Sequence, residues 1–175
     1  RAVGMAAKSK VRNVPEKVSR FLEELRKEFK DKILSIKVLT PIRAEVKIAR
    51  NSHKQIIKWL RDRFAESSYL VTINTVDYID RGNFELQYEI QLAEDDLKLH
   101  LTLKMDIPRA NPEVETITDV VPGALLYECE NYEMFGVRFV GHPALGKVFL
   151  PEDWPDNVYP LRKEVKLIKK IKKVR

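Results

Sequence analysis

The sequence predicts an α+β fold: a small domain with a mixed, partly antiparallel sheet flanked by helices, followed by an irregular, proline-rich C-terminal extension. Two observations support this prediction. Apolar residues recur at helical spacing in two segments, and they alternate with polar residues in several others. The chain of 175 residues is also long enough to bury one hydrophobic core, and 33% of its residues are charged.

The first predicted element is a helix that begins near Pro15, where the missing N–H of proline costs nothing. Its apolar residues form one stripe: Val18, Phe21, Leu22, Leu25 and Phe29. Two strand-like segments follow, residues 33–39 and 42–48, and Pro41 separates them. The N-terminal part of the sheet should therefore follow this helix directly.

A second helix is predicted to begin at Ser52, because Ser52 and Gln55 have the spacing of a capping box. Its inner face should consist of Ile56, Ile57, Leu60 and Phe64, and the pair Ser67-Ser68 should end it.

Residues 69–105 predict three consecutive strands. The segment 69–76 is rich in β-branched residues, residues 80–83 indicate a turn, and the stretches 84–90 and 97–105 alternate between apolar and polar residues around an acidic turn. Alternation this regular predicts an antiparallel meander with one solvated face.

Beyond Pro108 the regular patterns end, apart from one helical turn expected at 115–120 and a helix expected at 124–135. Gly136 should terminate that helix in the left-handed conformation. We therefore divide the chain into an α/β core domain (13–135), an irregular interface extension (136–161) and a basic C-terminal tail (162–175).

The net charge of +6 is concentrated at the two ends of the chain. Residues 162–175 contain eight basic residues and one acid, and residues 1–12 contain four basic residues and no acid, so the body between them is acidic. Leu167, Ile168 and Ile171 give the tail a modest apolar stripe. The tail could be a solvated arm, dock on an acidic partner, or bind anionic lipid or nucleic acid. A small nucleic-acid-binding protein that uses its basic termini is therefore the alternative function.

The sequence argues against catalysis and against a cofactor in this chain. His53, His100 and His142 are far apart, none of the spacings typical of metal sites occurs, and no glycine-rich phosphate loop is present. Cys129 could act as a nucleophile only with His142 as its base, and a small buried hydrophobic residue is the favoured interpretation. A hydrolase based on Glu130, Glu133 and Asp153 is disfavoured, since the two glutamates share a helix face and would not flank a substrate.

The run from Glu128 to Pro143 combines carboxylates, aromatic residues and an arginine at a helix end, which indicates a surface that another protein covers. We expect the acids to meet basic residues of a partner, because burial without such pairing would be costly. Trp154 fits either an interface anchor or a cap on the domain's own core. The predicted partner interface comprises Glu128, Glu130, Glu133, Phe135, Gly136, Arg138, Phe139, His142, Pro143, Pro151, Glu152, Asp153 and Trp154.

The motif Glu128-x-Glu130-x-Tyr132-x-Met134-Phe135-Gly136-Val137-x-Phe139-x-Gly141-His142-Pro143-x-Leu145 closely resembles the 30-kDa, or C, subunit of NADH:quinone oxidoreductase (complex I). Three further segments are also similar to that family: Val76-Asp77, Leu150 to Trp154, and Pro160 to Lys163. The family usually has arginine where this chain has Cys129, and more charge where it has Ala144 to Lys147. These departures resemble the relatives in archaeal membrane-bound hydrogenase and sulfane-sulfur reductase complexes, and they imply a changed partner surface.

The resemblance implies a non-catalytic scaffold subunit of an oxidoreductase complex in a respiratory chain. Such a subunit packs against a large subunit that resembles the nickel–iron hydrogenase large subunit, and it supports electron transport coupled to ion translocation. Iron–sulfur clusters and a nickel–iron site would then lie in partner subunits. The resemblance places the chain peripherally at the cytoplasmic face of the cell membrane, held there through its partners.

Overall fold

The computed structural model describes residues 13–165, and in this part of the chain a mixed five-stranded sheet carries three helices on one face. The predicted fold class is confirmed. The elements, in chain order, are α1 (Glu16–Phe29), β1 (Ile33–Thr40), β2 (Arg43–Ile48), α2 (His53–Phe64), β3 (Ser68–Tyr78), β4 (Asn83–Glu94), β5 (Leu97–Pro108), β6 (Glu113–Glu115), α3 (Leu125–Phe135) and β7 (Arg138–Val140).

The sheet has the strand order β1-β2-β5-β4-β3. The predicted meander of β3, β4 and β5 is antiparallel throughout, and β1 pairs with β2 in the same sense. β2 and β5 are parallel neighbours, with Ala44 opposite Leu101. This pair makes the sheet mixed, because the chain leaves β2 through α2 and the first two meander strands before it returns to β5.

The hydrophobic core lies between the sheet and its helices. α1 follows Pro15 and buries Val18, Phe21, Leu22 and Leu25, and the predicted inner face of α2 is buried as well. The two helices contact each other through Phe21, whose ring lies 5.5 Å from that of Phe64 in an edge-to-face arrangement.

The opposite face of the sheet is polar, as the alternation predicted. Cross-strand pairs neutralise its charges: Lys47 Nζ lies 2.6 Å from a Glu85 carboxylate oxygen, and Lys104 Nζ lies 2.6 Å from one of Glu45. His100 Nε2 lies 2.7 Å from Glu89. This face is therefore matched in charge within the chain itself.

Several local predictions differ from the structure. Ser52 and Gln55 do not form a capping box: the Ser52 hydroxyl donates to the Ala49 carbonyl (2.5 Å), and Gln55 accepts a hydrogen bond from Lys32 (2.5 Å). α2 nevertheless begins at His53 and ends at Phe64, before the predicted Ser67-Ser68. The segment after Pro108 also contains a strand, β6, that pairs in parallel with β7. The helical turn expected there is shorter and spans Ile117 to Val121.

Candidate partner interface

α3 organises the candidate interface, and several of its polar side chains point into the protein. Asn131 is buried against β3, which lies at the edge of the sheet. Its Nδ2 donates to the Ile73 carbonyl (2.8 Å), and its Oδ1 accepts from the Thr75 hydroxyl (2.6 Å). The Asn131 side chain thereby ties α3 to the edge strand β3.

Glu128, on the same helix, is completely buried. Its carboxylate accepts hydrogen bonds from the Ile117 amide (2.8 Å) and the Thr116 hydroxyl (2.5 Å), so it fixes the segment between β6 and α3. Burial raises the pKa of Glu128, and the two hydrogen bonds oppose this shift only in part. The expectation that Glu128 meets basic residues of a partner is wrong, because its partners lie within the chain.

Glu133 fixes a second segment. Its carboxylate, also buried, accepts hydrogen bonds from three consecutive backbone amides, those of Val148, Phe149 (2.9 Å) and Leu150 (3.2 Å). We name residues 148–150 the clamped loop. The ion pair expected between Glu133 and a partner is therefore also replaced by bonds within the chain. Backbone N–H groups satisfy the buried charge, which would otherwise be costly.

α3 ends at Gly136, as predicted, with φ of 74°. The C-terminal segment crosses this point so closely that a Cβ on residue 136 would lie 2.5 Å from the ring of Tyr159 and 2.8 Å from the guanidinium of Arg162. Arg162 Nε also donates to the Phe135 carbonyl (2.7 Å). Glycine is needed here both for the left-handed backbone and for the close packing.

Asp77 also binds the C-terminal segment that packs against Gly136. Its side chain is only 2% exposed, and it accepts two hydrogen bonds from Arg109 (2.8 and 3.1 Å) and one from the Lys163 amide (3.0 Å). Burial alone would raise the pKa of Asp77, but these hydrogen bonds outweigh it and lower the pKa below its usual value. Arg162 and Lys163, which the sequence analysis assigned to the basic tail, thus contact the core. Residues 166–175, with the apolar stripe of the tail, lie outside the described residues, as do residues 1–12.

Cys129 and His142 come together, but their arrangement does not suit nucleophilic catalysis. Cys129 is buried, and its Sγ lies 3.9 Å from His142 Nε2. His142 Nδ1 accepts from the Ala144 amide (3.1 Å), so the proton resides on Nε2, which faces the Leu125 carbonyl at 3.2 Å. The nitrogen nearest to the thiol is therefore already protonated and is not positioned to act as its base.

Trp154 is half-buried on the extension. Its Nε1 donates to the Val158 carbonyl (2.7 Å), and its own carbonyl accepts from Lys147 Nζ (2.8 Å). Beside it lies a cavity of about 390 Å³ whose walls include Tyr132, Glu133 and Trp154. The indole therefore stabilises the fold of the extension and still presents part of its surface.

The structure divides the thirteen predicted interface residues into two groups. Glu128, Glu133 and Phe139 are buried in the chain, and the Phe135 ring packs against Phe84 at 6.0 Å. Six residues are exposed: Glu130, Arg138, Pro143, Pro151, Glu152 and Asp153. Phe135, Gly136, His142 and Trp154 are partly exposed. Only these exposed and partly exposed residues could touch another protein directly.

The sequence did not identify some residues of this region. The clamped loop exposes Val148 and Phe149, and β7 exposes Val140. The sequence offers only a short apolar pair in an irregular segment as a signal for the loop. Asp77 drew attention only through the family resemblance, and Arg109 had no signal at all.

Within residues 13–165, no helix has the length and apolar character needed to cross a membrane. In the same range, no three His, Cys, Asp or Glu side chains lie close enough together to hold a metal ion.

Comparison with known proteins gives consistent matches. The model of the family described as respiratory-chain NADH dehydrogenase, 30-kDa subunit, matches residues 46–170. The C subunit of the F(420)H(2) dehydrogenase of Methanosarcina mazei is 32% identical over 143 residues, which cover 82% of this chain and 88% of that protein. The beta subunit of the membrane-bound hydrogenase of Pyrococcus furiosus is 32% identical over 124 residues, 71% of this chain and 70% of that protein.

A solved structure shares the fold. A chain in the membrane-bound sulfane sulfur reductase, an archaeal respiratory membrane complex, superposes with a TM-score of 0.78 over 90% of this chain and 91% of that chain, at 22% sequence identity.

Proposed function

The chain belongs to the family of the 30-kDa subunit of respiratory-chain NADH dehydrogenase, and from this premise we propose that it is a non-catalytic scaffold subunit of a complex I-like, membrane-bound oxidoreductase. The observation that carries the proposal is the extent of the family match, which includes most of the sheet, α3 and the whole extension. Relatives named as subunits of F(420)H(2) dehydrogenase and of membrane-bound hydrogenase support the same assignment.

The geometry of the site supports a scaffold rather than an enzyme. The buried carboxylates of Glu128 and Glu133 hold backbone segments in place, and the protonated nitrogen of His142 faces a carbonyl. The polar groups that the motif concentrates on α3 thus determine the shape of the surface. This arrangement fits a subunit whose role is to present a rigid surface.

The partner is, in this proposal, a large subunit that resembles the nickel–iron hydrogenase large subunit, with iron–sulfur subunits nearby. The contact surface consists of the exposed and partly exposed residues of the predicted interface: Glu130, Phe135, Gly136, Arg138, His142, Pro143, Pro151, Glu152, Asp153 and Trp154. The cofactors that carry electrons belong to these partners. The chain then lies at the cytoplasmic face of the membrane and is held there through the complex.

Purification of a tagged full-length chain from native membranes tests the proposal. We expect a hydrogenase-like large subunit and iron–sulfur subunits to co-purify in constant ratio, with iron in the complex and none in the chain expressed alone. Release of the chain from membranes together with these partners would support peripheral attachment. A chain that is recovered consistently as a lone monomer would contradict the proposal.

A further inference from the structure

In the clamped loop, hydrogen bonds hold the backbone in place, whereas two of the side chains remain exposed. The backbone amides of Val148, Phe149 and Leu150 are fixed on the carboxylate of Glu133. The side chains of Val148 and Phe149 remain 51% and 56% exposed. An aromatic side chain this exposed contributes little to folding, because most of its apolar surface stays in water. The hydrogen bonds to Glu133 therefore stabilise a loop conformation that buries little apolar surface within this chain.

Fixing the loop backbone in advance lowers the cost of binding. Irregular surface segments are normally mobile, and ordering them on association consumes part of the interaction free energy. Glu133 belongs to a helix that Asn131 ties to the sheet, so the loop is coupled to the rigid core through two side chains. An exposed phenyl ring on such a support has the character of a preorganised interface anchor.

Charge identifies the chemistry of the surface that would cover this anchor. Glu130, Glu152 and Asp153 are exposed, and none of them has an ion-pair partner among residues 13–165. Two cations of this region are already engaged, since Arg138 pairs with Glu113 at 3.2 Å and Lys147 pairs with Asp156 at 3.0 Å. Within residues 13–165, Glu152 and Asp153, which follow the loop in sequence, are thus acidic and unpaired, unlike the polar face of the sheet, where charges pair across strands.

We infer that Val148 and Phe149 form the hydrophobic anchor of the partner interface, and that the partner is a protein surface with an apolar pocket bordered by lysine or arginine residues. Glu133 is a positioning residue, which acts by holding the anchor and does not touch the partner. This inference rests on the proposed function, since it specifies the surface through which the subunit joins its complex.

Matched variants of the full chain in the native complex test the inference. Phe149→Ala should weaken association with the co-purifying subunits at least about tenfold, since truncating a buried aromatic anchor commonly has an effect of this size. Tyr69→Ala is the control, because Tyr69 is also an aromatic residue that is 56% exposed, but it lies on β3. Phe149→Leu should recover part of the association. Unfolding of the isolated variants should stay at the wild-type midpoint.

Charge and positioning have separate tests. Replacing Glu152 and Asp153 together by lysine should reduce association and weaken its dependence on salt. Unchanged or stronger association would overturn the inference that basic residues border the pocket of the partner.

Glu133→Gln should weaken association more than Glu130→Gln. The loss of association caused by Glu133→Gln should be smaller when Phe149 is already Ala, because both substitutions act on one anchor. Additive deficits would overturn the positioning role.

The outcomes separate this inference from the proposed function. If the wild-type chain co-purifies with the complex but Phe149→Ala and Tyr69→Ala behave alike, the assignment of Phe149 as the anchor is wrong and the scaffold function stands. If wild-type chain brings down no partner, the proposed function itself fails.

Discussion

Replacing Asp77 by Asn should destabilise the fold by about 3 kcal/mol, because it removes the charge that Arg109 meets in a nearly dry site. Breaking a buried ion pair from one side typically costs about 3–5 kcal/mol, since the other charge remains buried. The lower end applies here, because Arg109 keeps a second carboxylate, that of Glu164. Asn has nearly the volume of Asp, so the substitution leaves no cavity to add to this cost.

The expected loss is measurable by urea unfolding at neutral pH, with fluorescence of the two tryptophans as the signal. Trp59 lies in α2 and Trp154 in the extension, so variants that retain one tryptophan report on the core or on the extension. Glu16→Gln is the control. It breaks an exposed pair with Arg20 (2.9 Å), and the free energy of unfolding should change by less than about 0.5 kcal/mol.

The Asp77 variant should also release the C-terminal segment, since Asp77 holds the Lys163 amide. Trypsin should then cleave after Arg162 faster than in the wild type, under conditions where the core stays folded. A free energy of unfolding within about 0.5 kcal/mol of the Glu16→Gln value, with unchanged cleavage, would refute the reasoning that this buried pair fastens the extension.

Two further predictions concern α3. The folded-state pKa of Glu128 lies above the unfolded value of 4.5, so the contribution of this group to stability is complete below pH 4.5 and is lost as the pH rises through the folded pKa. Glu128→Gln should remove this pH dependence. The prediction is contradicted if the free energies of unfolding of wild type and variant change with pH in the same way. Gly136→Ala should destabilise the chain more than Gly82→Ala, because both positions have positive φ but only Gly136 faces the Tyr159 ring. Equal losses of stability in the two variants, measured by thermal unfolding, would show that the C-terminal segment can move away from residue 136 without a further cost in stability.

Most of the fold could be predicted from the sequence, because its elements carry strong periodic patterns. The stripe of α1 and the alternation in β4 and β5 each extend over several repeats, and such patterns arise directly from burial on one side. The parallel contact of β2 with β5 has no local signal, since it depends on where the chain returns. Three-residue strands such as β6 and β7 are too short to show a period.

The capping box failed for a related reason. A hydroxyl in the position of Ser52 has several acceptors within reach, and the Ala49 carbonyl is available because of a turn that the sequence spacing does not reveal. Spacing shows that a bond is possible. It does not show which competing acceptor the side chain will choose.

The roles of the charges in the predicted interface motif could not be assigned from sequence. Glu128, Glu130 and Glu133 are chemically alike, yet Glu128 and Glu133 are buried and Glu130 is exposed. The difference arises because segments distant in sequence, residues 116–117 and 148–150, lie against α3. The Thr116 hydroxyl and the Ile117 amide bind Glu128, and the amides of residues 148–150 bind Glu133. No pattern within the helix contains that information.

This distribution of charge changes how the motif should bind. Carboxylates that are already satisfied by backbone amides gain little from a partner's cations, so their replacement should affect assembly through the shape of the loops they hold. The binding free energy must then come from surfaces that folding leaves exposed, of which Phe149 is the largest apolar side chain on the clamped loop. Within α3 and the extension, the buried polar residues of the motif set the conformation, and the exposed apolar pair of the clamped loop is left as the proposed anchor of the contact.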